Sequence, residues 1–297
     1  MTAAHVVRAA CASHVGGREE QQDMAASFSS HDGECHLLVV ADGMGGRSGG
    51  RLAAETVVDA AAELWANCQG HPDDPHAFLE TLCQHAHAGI RQRGQTLGLE
   101  PMSTVAALFA TATRAWWVHA GDSRVYAFRG NTQVLRTEDH TMVRKLVATG
   151  QLNEAEAGAH PERHLLLRGL GSADGPQPAH GQMSLSADTG FVLCSDGFWN
   201  VVRDDELPAL LSARDAHAQC TEWAAIAAER GGPDGDNVTV AVLLPAKPGR
   251  PARCAPQQHP AAGTAAHPVF GQALGRYWPL FAAVVIALLL LFVHTLK

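Results

Sequence analysis

A chain of 297 residues with 46% apolar side chains can bury a sizeable core, which excludes a disordered protein. A formal charge of −8 with no long basic run excludes nucleic acid as the main partner. The seven cysteines are odd in number and contain no CxxC pair, which argues against a disulfide framework or a zinc site and for reduced thiols.

Along the chain, residues 1–12 lack the basic start and long apolar run of a signal peptide. A strand is predicted over 35–41, ending in "VVADGMGG". Ser48 is a candidate cap for a helix over 50–67, and a second helix is predicted over 74–95. Three short β runs follow at 105–111, 115–120 and 124–128, joined by tight turns that imply antiparallel neighbours. "TMVRKLVATG" reads as a helix with Gly150 as its C-cap. "GFVLCSDG" is a buried strand, 204–213 and 215–230 are predicted helices, and "DNVTVAVLLP" is a strand that begins on an acid. Strands joined by tight turns, with helices grouped in pairs, indicate an α+β fold rather than a doubly wound parallel sheet.

Beyond residue 245 the composition changes. Residues 246–275 are rich in Pro, Ala and Gly with no sustained period, as in a linker. Residues 276–297 hold an uncharged apolar run over 280–293, with Tyr277 and Trp278 at one end and Arg276 and Lys297 bracketing it. That pattern predicts a C-terminal transmembrane helix. The expected plan is a folded domain over 1–245, a tether, and an anchor that keeps the domain on the cytosolic side of the cytoplasmic membrane.

Asp42, Asp122, Asp196 and Asp236 each lie at the edge of an apolar strand. Carboxylates held there, partly desolvated and close together, raise one another's pKa. A hard divalent cation offsets that repulsion, and oxygen-only ligands select Mg²⁺ or Mn²⁺ over zinc or copper. No GxxxxGK[ST] phosphate loop follows the glycines after Asp42. Those glycines instead let the backbone come close to a metal, so that the Gly43 carbonyl can serve as a ligand beside Asp42. Asp-Gly pairs are also common turns, and the spacing alone leaves that reading open.

Seven motifs then occur in order: "GGREEQQD" (16–23), "VVADGMGG" (39–46), "MSTVAALF" (102–109), "VHAGDSRVY" (118–126), "TEDHTMVRKLVATGQLNEAEAGAHPERHLLLRGLG" (137–171), "LCSDGFWN" (193–200) and "GDNVTVAV" (235–242). Over residues 9–244 this set resembles the PPM family of metal-dependent, 2C-type serine/threonine protein phosphatases in its bacterial form. The resemblance implies a four-layer α/β/β/α sandwich of two antiparallel sheets. It implies two Mn²⁺ or Mg²⁺ ions per active site and a third, weaker site. Asp42 would bridge two metals, with the Gly43 carbonyl on one and Asp196 and Asp236 on the other. Asp122 would share the third with Asp196. Arg18 would bind the substrate phosphate and Asp23 would order water, so that a metal-bridging hydroxide attacks phosphorus in line. Phosphorylated proteins and a serine/threonine kinase are the implied partners. Gln22 stands where the family usually has an acid, and Met44 where many eukaryotic members have a histidine. The Gln22 departure supports an alternative, a catalytically weak phosphoprotein-binding module at the membrane. His140 reads as structural, residues 140–171 as a flap beside the cleft, and Cys194 as a core residue.

Overall fold

The computed structural model describes residues 8–46 and 49–246. The strands are β1 (Ala9–His14), β2 (Asp23–Ser29), β3 (His36–Met44), β4 (Met102–Ser103), β5 (Val105–Ala110), β6 (Arg114–Ala120), β7 (Arg124–Arg129), β8 (Thr132–Arg136), β9 (Ala179–Ser184), β10 (Thr189–Cys194) and β11 (Val238–Leu243). The helices are α1 (Gly49–Asn67), α2 (Pro75–Leu97), α3 (Met142–Ala148), α4 (Glu154–Ala159), α5 (Asp196–Trp199), α6 (Leu207–Leu211) and α7 (Ala216–Gly231). One sheet runs β1-β11-β10-β7-β8 and the other β2-β3-β5-β6-β9, with β4 paired to β3. The strand pairings are antiparallel.

Period-two alternation explains the layering. In β3, Leu38 and Val40 point into the space between the sheets, where they meet Val125, Ala127, Phe191, Leu193, Ala241 and Leu243. Leu37, Val39 and Ala41 point the other way, onto α1 and α2 through Val57, Ala61, Leu79 and Leu82. Tyr126, Val192, Cys194 and Val240 form the matching outer face of the second sheet, covered by α6 and α7 through Leu210, Cys220 and Ala224. The strands therefore read as unbroken apolar runs because both of their faces are covered. The result is the expected helix–sheet–sheet–helix sandwich.

The six strands predicted from sequence, now β3, β5, β6, β7, β10 and β11, are the inner strands of the two sheets. The four edge strands β1, β2, β8 and β9 were not predicted. β8 is mostly exposed, and β2 and β9 are half-buried, so their apolar signal is weak. The helix predicted over 74–95 is α2, with the Asp74 carboxylate accepting from the His76 and Ala77 amides and Gly98 closing it in the left-handed region. The helix expected over 204–213 is a correction: only Leu207–Leu211 is helical. Pro208 sits in its first turn, and Asp205 folds back to pair with Arg203 at 2.7 Å instead of entering the helix. The Ser48 cap, the linker over 246–275 and the span over 276–297 lie outside the described residues, apart from Ala246. Among the described residues no helix is long and apolar enough to cross a membrane.

Leu38 is fully buried between the sheets, whereas Leu97, at the end of α2, is 58% exposed. Leu38→Ala is expected to cost about 2–5 kcal/mol in urea unfolding, and Leu97→Ala under about 0.5 kcal/mol. Equal effects would contradict the assignment of the core.

Candidate metal centre

The acids come from strand ends that meet at one end of the sandwich. Asp23 opens β2 directly opposite Asp42 on β3. Asp122 lies in the turn after β6, Asp196 is the first residue of α5 directly after β10, and Asp236 stands two residues before β11. β10 and β11 are paired neighbours, so the last two acids leave adjacent strand ends. Asp23, Asp122 and Asp196 are buried, while Asp42 and Asp236 are half-buried at the cleft.

The acids act on one another electrostatically. Burial pushes the Asp42 carboxyl well above the ordinary carboxylate range, and Asp23, Asp196, Asp122 and Asp236 push it in the same direction. Burial raises Asp23 to about 7, partly opposed by a 2.6 Å hydrogen bond from the Ser195 hydroxyl, with Asp196 and Asp236 adding to the rise. Asp122 is raised to about 7 by burial, then by Asp196 and Asp139.

Neighbouring groups hold the acids in place. The Asp42 amide donates to Thr104 Oγ1 at 2.9 Å, and the Thr104 amide donates to the Asp42 carbonyl at 2.8 Å. The Asn237 amide group donates to the Val15 and Glu20 carbonyls, and its oxygen accepts from the Gln22 amide at 2.7 Å. That fixes the 15–22 loop, which carries Arg18. The indole of Trp199 donates to the Asp122 carbonyl at 2.9 Å. Trp199 is in turn covered by the Arg124 guanidinium, 3.5 Å from the ring and paired bidentately with Asp139.

Asp42-Gly43 and Asp196-Gly197 prove to be close-approach sites, not turns. A Cβ on Gly43 would collide with the Gly50 carbonyl at the start of α1, and one on Gly197 would collide with the Asn237 carbonyl. Glycine is therefore required for the two segments to pass next to the acids.

The expected residues are placed as follows. Arg18, Asp42, Gly43 and Asp236 line one cleft of about 580 Å³, together with Gln22 and Met44. Asp122 and Asp196 sit together, and Asp23 is paired across the strands with Asp42. Arg18 pairs with Asp236 at 2.8 Å, a partnership the sequence did not suggest, and its side chain remains 55% exposed. Gln22 Nε2 donates to the Gly46 carbonyl at 3.3 Å. His140 accepts from the Gly121 amide, stacks on His119 with ring centroids 4.5 Å apart, and is pushed down to about 3 by burial. It is therefore a neutral ring that supports the turn before Asp122.

Sequence reasoning missed three contributors. His164 Nδ1 lies 3.6 Å from Asp196, and ligand atoms of Asp122, His164 and Asp196 lie within 4.8 Å of one another. Ser195 and Asn237 hold Asp23 and the 15–22 loop. Ser195 and Asn237 each adjoin a flagged aspartate, which was the available clue; His164 carried no local signal.

The donor set fits hard divalent cations. Asp23, Asp42 and Asp122, all pushed up by burial and by neighbouring carboxylates, together with Asp196, Asp236 and one backbone carbonyl, form an oxygen-rich site whose repulsion a cation offsets. A raised folded-state pKa means that the folded chain holds protons that the unfolded chain releases, so this contribution to stability is lost as pH rises from about 4 to about 7. In chelator, Asp42→Asn is expected to raise the melting temperature relative to wild type, by a margin that grows between pH 5 and pH 7. In saturating Mn²⁺ the order should reverse, because the variant loses a ligand. A margin that shrinks towards pH 7 in chelator would contradict the repulsion.

The comparisons with known proteins agree with this geometry. The sequence profile of the family described as Protein phosphatase 2C matches residues 11–231. A putative protein phosphatase 2C-type of Streptococcus pyogenes is 30% identical over 229 residues, 76% of this chain and 92% of that protein. The crystal structure of the Mycobacterium tuberculosis serine/threonine phosphatase PstP/Ppp is similar with a TM-score of 0.68 at 30% identity, over 80% of this chain and 98% of that one. The catalytic domain of the phosphatase PstP, solved in complex with two manganese ions, is similar with a TM-score of 0.66 at 30% identity, over 79% of this chain and 96% of that one. With the acids gathered in a fold of this kind, the chain belongs to the protein phosphatase 2C family and is a metal-dependent phosphoprotein phosphatase.

Proposed function

We propose that the protein hydrolyses phosphoserine and phosphothreonine in other proteins, at the cytosolic face of the cytoplasmic membrane, in opposition to a membrane-associated serine/threonine kinase. The observation that carries the chemistry is the gathering of Asp23, Asp42, Asp122, Asp196 and Asp236 around one centre beside Arg18. The substrate class is supported by relatives named as serine/threonine phosphatases.

Asp42 would be shared by two cations, with the Gly43 carbonyl on one and Asp196 and Asp236 on the other; Asp122 and Asp196 would hold a third. When bound, the cations supply Lewis acidity, which makes water a nucleophile near neutral pH and offsets charge on the phosphoryl oxygens. The chain's own residues do the rest. Asp23, held by the Ser195 hydroxyl, accepts a hydrogen bond from the attacking water and orients it. Arg18 spends one N–H on Asp236 and lines the cleft, where the remaining donors of its fork would suit two phosphoryl oxygens. No nucleophilic side chain is needed: Cys194 is fully buried, and burial keeps its thiol protonated. His140 is neutral at pH 7 and cannot donate the leaving-group proton.

The acids also set the order of events. A cleft lined by unneutralised carboxylates repels a phosphomonoester, so cations must bind before substrate. The purified full chain should release phosphate from a phosphothreonine peptide with Mn²⁺ or Mg²⁺ and neither bind nor hydrolyse it in excess chelator. Asp196→Asn should lower kcat/KM at least a hundredfold, about 2.7 kcal/mol of transition-state stabilisation, without a change of fold. Full turnover in that variant would refute the ligand assignment.

Membrane tethering rests on the apolar run at 280–293 and the Pro-rich stretch before it. Confinement near a bilayer raises the effective concentration towards membrane-bound kinases and their substrates. Deleting residues 276–297 should move the protein from the membrane to the soluble fraction with peptide turnover unchanged. Retention at the membrane would remove the anchor.

A further inference from the structure

We propose that His164 is a nitrogen ligand of the cation shared by Asp122 and Asp196, and that it makes this site favour later first-row dications, of the Fe²⁺ to Zn²⁺ class, over Mg²⁺ and Mn²⁺. The proposal rests on the reading above, in which Asp122 and Asp196 hold a cation in addition to the two at Asp42. It adds a ligand from the 140–171 segment, and with that ligand a metal preference different from that of the oxygen-only centre.

The geometry suits a shared ion. One ligand atom from each of Asp122, His164 and Asp196 lies within 4.8 Å of the other two, and His164 Nδ1 is 3.6 Å from Asp196 Oδ2. Two ligands about 2.1 Å from one ion stand about 3.0 Å apart when adjacent and about 4.2 Å apart when opposite. The 3.6 Å separation lies between these limits, and the widest spacing reaches them by a shift of a fraction of an ångström. His164 can make that shift, because its side chain is half exposed, whereas Asp122 and Asp196 are buried.

The chain holds His164 in place from both sides. Before it, α4 is capped by His160, whose ring accepts from the Glu162 amide at 3.1 Å and whose carbonyl accepts from the Arg163 amide at 3.1 Å. After it, the Met142 amide donates to the Leu165 carbonyl at 2.9 Å, and the Leu167 amide to the His140 carbonyl at 2.8 Å. The His140 amide in turn donates to the Gly121 carbonyl at 2.9 Å, which ties this strap to the turn of Asp122. His164 also lines a cavity of about 260 Å³ with Arg124, Asp139 and Trp199. That volume has room for the waters that complete the shell of a six-coordinate ion.

The donor type sets the preference. The ligating form is the neutral ring, with its proton on Nε2 and the Nδ1 lone pair on the ion. Imidazole nitrogen suits iron, nickel and zinc, whereas carboxylates and water suit Mg²⁺ and Mn²⁺. Two carboxylates with one imidazole therefore rank the later ions higher than two carboxylates alone would. Because His164 belongs to the turn after α4, an ion bound there would also fasten that turn to Asp196 at the start of α5.

The test is equilibrium binding of Mn²⁺ and of Co²⁺ to the full chain, counted by calorimetry in wild type, His164→Gln and His164→Asp. Wild type should bind two ions tightly and a third more weakly, with the third step favouring Co²⁺. His164→Gln should leave the first two steps unchanged and weaken the third by about tenfold or more. His164→Asp, which puts oxygen in place of nitrogen, should keep a third Mn²⁺ step but lower its Co²⁺-to-Mn²⁺ affinity ratio by about fivefold or more. Trypsin gives a second readout: the third equivalent of Co²⁺ should slow cleavage after Arg163 in wild type and not in His164→Gln. Fewer than two bound ions in wild type would overturn the metal reading of the proposed function and this inference with it. Two tight ions with a third step that is unchanged or tighter in His164→Gln, as a plain His164–Asp196 ion pair requires, would overturn this inference alone, and so would an unaltered ratio in His164→Asp.

Discussion

Repulsion between carboxylates that the fold forces together is the constraint on which the rest of this structure depends. Asp23 and Asp42 face each other across a strand pair, and Asp122, Asp196 and Asp236 arrive from three other strand ends. A folded chain tolerates such a cluster only by holding protons or by holding cations, and at neutral pH proton retention is incomplete for groups raised to about 7. Carboxylate oxygens gathered in this way favour hard divalent ions, which offset the repulsion.

The rigidity of the centre comes from the two covered sheets. Their inner strands are buried on both faces, which fixes where each strand ends and therefore where each acid stands. Around that frame the chain spends polar groups on alignment: Ser195 on Asp23, Thr104 on Asp42, Trp199 on the Asp122 turn, and Asn237 on the loop of Arg18. Buried polar groups that are fully partnered specify one arrangement, as a catalytic centre requires.

Much of this was legible in the sequence, and the gaps have physical causes. Strand-terminal aspartates after long apolar runs stood out because inner strands leave no polar residue to confuse the pattern. The edge strands, such as "AHGQMS" in β9, were silent because one side of an edge strand faces solvent and imposes little composition. The glycines after Asp42 and Asp196 were visible but their reason was not, since the colliding carbonyls of Gly50 and Asn237 belong to other segments. The Arg18–Asp236 pair spans 218 positions, and His164 meets Asp196 only through the fold, so neither had a local signature. The shortened helix at 207–211 shows local side-chain pairing overriding a compositional preference.

The central claim is that Asp42, Asp196 and Asp236 jointly grip a pair of hard cations. Anomalous diffraction at the manganese edge from crystals grown with Mn²⁺ tests it most directly. The account predicts two strong peaks, both touching Asp42, one also touching the Gly43 carbonyl and the other Asp196 and Asp236. Crystals that diffract well but show no manganese peak among these acids would contradict it.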